Sequence, residues 1–112
     1  APPALARGVR RALIGALDEA VADASMPTGA FERPAAELVD DRTAKTYLRL
    51  VAAPADLSLI RARLAGDYYR HSAGFDADVD RIHANSVAFN GPEYELSLAA
   101  AALRDRLKKA AA

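Results

Sequence analysis

The sequence predicts an all-α fold: an antiparallel four-helix bundle with one long loop between its first and second helices. Three observations predict it. Large apolar side chains recur every three or four residues in four separate stretches. Clusters of turn residues stand at the junctions: Pro27 with Gly29, Pro54 with Asp56, Gly66, and Asn90-Gly91-Pro92. About a quarter of the chain is Ala, the best helix former, although Ala fills core volume poorly and leaves the larger apolar side chains with unusual weight.

The first helix is expected over about residues 4–24. Leu5, Val9, Leu13, Leu17, Val21 and Ala24 repeat at four with a closing three, which makes one slowly drifting apolar stripe. A proline in the first turn is tolerated because that amide needs no helical partner. The second helix, about 56–65, starts on Asp56 as N-cap and carries Leu57, Ile60 and Leu64. The third, about 72–89, has Phe75, Val79, Ile82, Ser86 and Phe89 on one face, with Asp76, Asp78, Asp80 and Arg81 mostly facing water. The fourth, about 95–109, places Leu96, Ala100, Leu103 and Leu107 inward and collects Arg104, Arg106, Lys108 and Lys109 toward its C-terminus, where positive charge suits the helix dipole. The short connections make neighbouring helices antiparallel.

The connection from about 26 to 54 is too long, and too rich in Phe31, Leu38, Val39, Tyr47, Leu48, Leu50 and Val51, for a plain linker. It reads as an ordered loop with short helical turns near 35–39 and 44–51, and as a candidate binding wall.

The 112 residues suffice for one domain, taken as 1–112. Fifteen basic and fifteen acidic residues give no net charge, so nothing global draws the chain to nucleic acid or an anionic membrane. With no Cys, disulfides, thiolate catalysis and cysteine zinc sites are excluded. No apolar run is long enough to span a membrane. The Ala1-Pro2-Pro3 start lacks a signal-peptide pattern and an initiating Met, and the chain is read as a piece of a larger protein.

No constellation for catalysis stands out. There is no glycine-rich phosphate loop, no metal-ligand spacing and no paired His and acid. His71 and His83 read as a loop-end residue and a partly packed surface residue. The expectation is a non-enzyme without cofactor or metal. Asn90 is the one polar residue in a suggestive setting. Before Gly91 it reads as a helix stop, but Phe89, Pro92 and Tyr94 surround it, and an amide offers both a donor and an acceptor to a neutral amide ligand.

Pro54-Ala55-Asp56-Leu57-Ser58-Leu59-Ile60, then Arg63-Leu64 and Tyr68-Tyr69, resemble the bromodomain signature at the start of its second helix. Asn85, Ser86, Phe89, Asn90, Gly91 and Pro92 resemble the end of its third helix, and Phe31, Pro34 and Tyr47 resemble its long first loop. Leu57 to Arg61, Tyr69-Arg70 and Phe89-Asn90 are most similar to the first bromodomain of the large WD-repeat-and-bromodomain proteins. The resemblance implies a left-handed bundle that reads acetyl-lysine on histone or other nuclear protein tails, as a monomer in the nucleus.

It also implies roles. Asn90 matches the asparagine that bonds the acetyl carbonyl, and Tyr47 the tyrosine that reaches it through water. Phe31 matches the phenylalanine beside the acetyl methyl, Phe89 the aromatic before the asparagine, and Leu96 the gatekeeper. Ala35, Leu38 and Val39 fall on the loop wall, and Tyr94 with Glu95 on the rim toward the peptide. Without the resemblance, Tyr47 reads equally well as loop packing, and Phe31, Phe89 and Leu96 as core. The departures lie in the wall. There is no Trp, Ala35 stands for the common valine, and Ala55 for the common methionine. The alternative reading is therefore a bromodomain-like interaction scaffold that no longer binds acetyl-lysine.

Overall fold

The computed structural model of the chain describes residues 6–23 and 28–111. Among these residues five α-helices follow in order: α1 (Arg7–Ala22), α2 (Asp41–Leu50), α3 (Leu57–Ala65), α4 (Ser72–Asn90) and α5 (Glu95–Ala111). Two short 3-10 turns, Gly29–Phe31 and Ala35–Glu37, lie between α1 and α2. The four expected helices are α1, α3, α4 and α5. Leu5, Ala24 and the Met26-Pro27 stop fall outside the described residues.

The fifth helix corrects the reading of the connection as a loop with brief turns. Asp40 caps α2, its carboxylate accepting from the Thr43 amide at 2.7 Å. That bond, with a second one from the Thr43 side chain, holds the Asp40 carboxyl below its ordinary pKa. A helix begun there buries Tyr47 and, just past its end, Val51, while Leu48 and Leu50 face outward.

The bundle core joins Leu13, Leu17 and Ala20 of α1 to Leu57, Ile60 and Leu64 of α3. Phe75, Val79 and Ile82 of α4 and Ala100, Leu103 and Leu107 of α5 complete it. Val9 and Val21, expected on the α1 stripe, are 42% and 37% exposed. A spacing of four advances about 40° beyond a full turn at each step, so the stripe faces the core only near its middle. Ala20, three residues after Leu17, returns to the buried side.

α3 starts on the Asp56 cap, whose carboxylate accepts from the Ser58 amide at 2.8 Å and the Leu59 amide at 3.1 Å. It stops at Gly66, as the turn residues predict, with the Gly66 amide donating to the Ala62 carbonyl at 3.0 Å, but the left-handed residue is the next one. Asp67 takes that conformation, with φ +56. The Tyr68 amide reaches back to the Arg63 carbonyl at 2.9 Å, and the Asp67 amide to Leu64 at 3.4 Å, closing a Schellman-type cap.

Asp78 also departs from expectation, since it is buried rather than facing water. Its Oδ2 accepts from Tyr69 Oη at 2.6 Å and from Arg63 at 2.7 Å, while Oδ1 accepts from Arg81 at 3.0 Å. A carboxylate so fully partnered can sit inside. Burial, and then the bond to Asp78, push the Tyr69 phenol far above its ordinary range. Of the two tyrosines at this junction, Tyr69 is buried. Tyr68 is exposed under the Arg63 guanidinium, 4.2 Å from its ring centre.

Candidate functional site

A cavity of about 390 Å³ opens where the α1–α2 connection meets the end of α4 and the start of α5. Three local devices shape it. The Thr28 carbonyl accepts from the Phe31 amide at 2.8 Å, which tightens the first 3-10 turn and turns Phe31 inward. Phe31 thus belongs to both the core cluster and the cavity wall. The Pro34 carbonyl accepts from the Glu37 amide at 2.9 Å, folding the second turn so that Ala35, Leu38 and Val39 form one side. Asn85 of α4 donates to the Ala53 carbonyl at 2.9 Å, pinning the segment that brings Ala55 to the wall.

Tyr47 of α2 meets Phe89 of α4 edge to face, with ring centres 5.1 Å apart and planes at 75°. The pair ties α2 to the bundle at the cavity. Burial, and then the negative charge of Asp56, raise the Tyr47 phenol above its ordinary pKa, so the hydroxyl keeps its proton at neutral pH. Among the described residues Arg33 is the one charged side chain in the lining, and it pairs with Glu37 at 3.1 Å.

The polar end is a chain of hydrogen bonds. Asn90 Nδ2 donates to Ser86 Oγ at 3.2 Å, one helical turn back on α4. Ser86 Oγ lies 2.9 Å from Ser97 Oγ on α5, and Ser97 donates to the Gly91 carbonyl at 2.6 Å. Gly91, with φ +91 and ψ 158, ends α4 in a conformation that L side chains rarely adopt. Pro92 follows, so the turn cannot relax into helix. Asn90 itself is half-buried, and the Ser86 bond is its one side-chain hydrogen bond among the described residues.

Eight of the nine residues singled out from sequence line this cavity: Phe31, Ala35, Leu38, Val39, Tyr47, Phe89, Asn90 and Leu96. Tyr94 does not. Its side chain is 54% exposed, and its carbonyl starts α5 by accepting from the Ser97 and Leu98 amides. Ser86 was assigned to the core stripe of its helix, yet it reaches the cavity. Ser97 carried no signal at all. Only the approach of α5 to α4 pairs the two hydroxyls. His83 is half-buried with Nδ1 3.0 Å from Arg104, and His71 is exposed at the start of α4, both away from the cavity.

Among the described residues no cluster of His, Asp or Glu could hold a metal ion, and no helix is long and apolar enough to cross a membrane. The site offers a largely apolar chamber with a protonated phenol, the Ser86 hydroxyl, one carboxamide and, at Arg33, a charge already paired with Glu37. That set can bind a neutral, hydrogen-bonding side chain but supplies no nucleophile and base in contact. The family model described as Bromodomain matches residues 18–102, about three quarters of the chain.

Proposed function

Because this chain belongs to the bromodomain family, whose members are non-catalytic acetyl-lysine readers typically found on nuclear chromatin, we propose that its cavity binds an acetylated lysine through Asn90. One observation carries the reading: Asn90 stands in the wall of a largely apolar cavity, its carboxamide engaged on one side by Ser86.

Acetylation turns an ammonium into a neutral amide. The cost of removing the side chain from water falls, and a carbonyl appears for the second Asn90 N–H to meet. Tyr47 would support the same carbonyl through a water, Phe31 and Phe89 would flank the methyl, and Leu96, Leu38, Val39 and Ala35 would cover the methylenes. Tyr94, outside the cavity, is left to contact peptide beyond the mark. Unmodified lysine brings a charge that nothing in this lining compensates. In this reading the partners are acetylated histone or other nuclear tails, and the domain acts as a monomer. The motif likeness to the first bromodomain of WD-repeat-and-bromodomain proteins supports placing the chain near that group.

A second reading follows from the wall itself. Ala35 and Ala55 both line the cavity and are small, which favours an interaction scaffold with no acetyl-lysine binding. Calorimetric titration with acetylated and unmodified histone peptides separates the two. The reader binds only the acetylated peptides, and Asn90→Ala weakens them roughly ten-fold while the helical signal stays unchanged. Equal or absent binding of both peptides favours the scaffold.

A further inference from the structure

We infer that Ser97, which forms no part of the cavity lining, is a positioning residue for Asn90: acting through Ser86, it sets which way the Asn90 carboxamide faces. The Gly91 carbonyl can only accept, so at 2.6 Å the Ser97 hydroxyl must be its donor. A hydroxyl has one proton. Ser97 Oγ, 2.9 Å from Ser86 Oγ, therefore accepts from Ser86. With its proton directed there, Ser86 Oγ accepts in turn, and the atom 3.2 Å away on Asn90 must be Nδ2. A flipped amide would set Oδ1 against Ser86 Oγ with no hydrogen between them.

Burial makes this polarity strict. Ser97 is 0% exposed and Ser86 7%, so water has little access to reverse the chain. The anchor is fixed as well, because the Gly91 carbonyl is aimed by the φ +91 turn before Pro92. The consequence for ligand binding rests on the proposed acetyl-lysine reading. With Nδ2 held toward Ser86, its other N–H is the group left for an acyl carbonyl, while a flipped amide would oppose that carbonyl with an oxygen.

The test uses the ¹⁵N-labelled protein without ligand. The Asn90 side-chain NH₂ resonances should show one proton protected from solvent exchange in the wild type. Ser97→Ala should remove that protection and shift both resonances. Ser97→Cys, whose thiol is only a weak donor to the Gly91 carbonyl, should shift the same resonances, and it serves if Ser97→Ala does not fold. Unchanged Asn90 resonances in a folded variant overturn the inference. Acetylated histone peptide should then bind Ser97→Ala about five-fold more weakly than wild type. Shifted Asn90 resonances with no peptide binding even to wild type leave the positioning intact and overturn the proposed function. Shifted resonances with undiminished binding to Ser97→Ala overturn the role of the positioning in recognition.

Discussion

The two halves of α4 treat their polar side chains in opposite ways. Toward its start, Asp78 is buried with both oxygens engaged by Tyr69, Arg63 and Arg81. At its end, Asn90 is half-buried and engaged on one side, with an apolar cavity on the other. A buried polar group whose bonding capacity is filled by its own chain fixes structure, because any other arrangement leaves a desolvated charge. A polar group with capacity left, aimed at a space that the chain does not fill, suits a ligand. Residue type does not separate these cases, and neither does position on the helix. What separates them is the number of partners each group finds from other elements.

Asp78→Ala breaks the comparison at its structural side and has the largest expected effect. It leaves Tyr69 Oη without its buried acceptor and two guanidinium groups without their carboxylate. Arg63 and Arg81 are partly solvated, so about 3 kcal/mol of stability should be lost rather than the full cost of a dry pair. Urea denaturation measures this. A loss below about 1 kcal/mol would show the cluster to be ornamental to the fold. Acetyl-peptide affinity of the folded variant should match wild type.

Ala55→Met tests the cavity side. The longer side chain should cover more of the bound methylenes and tighten an acetylated peptide about three-fold, with stability within about 0.5 kcal/mol of wild type. Weaker binding would mean that the wall is already close to the ligand.

The smallest effect is expected at Asp40, which anchors α2 and through it Tyr47. Its folded pKa is lowered by the Thr43 amide, so its stabilisation is present above the ordinary carboxylate range and lost as pH falls through the folded value. Side-chain carbonyl NMR should place its titration below that of an unstructured Asp, and the Tyr47 ring signals should shift in the same acidic window. A titration at or above the ordinary value would remove the cap from the account of how Tyr47 is held.

Much of the cavity was legible because its residues sit at chain features that announce themselves locally. Asn90 precedes a Gly-Pro break, Phe31 lies near Gly29, and Tyr47 lies in an apolar-rich connection between prolines. Tyr94, expected on the rim toward the peptide, stands exposed outside the cavity. Closeness to Asn90 in sequence says nothing about which way a side chain turns once α5 begins.

The sequence by itself determined the all-α class, the spans of four helices within a few residues, the Asp56 cap and the Asn90-Gly91-Pro92 break. Each depends on contacts within one or two helical turns, which short-range spacing encodes. Only the tertiary structure decided that Asp78 is buried, that Val9 and Val21 are not, and that α2 is a helix with Tyr47 on its inner side. It alone joined Ser97 to Ser86 and so to Asn90. Those outcomes depend on which faces of separate helices meet, and the period of a single helix does not contain that information.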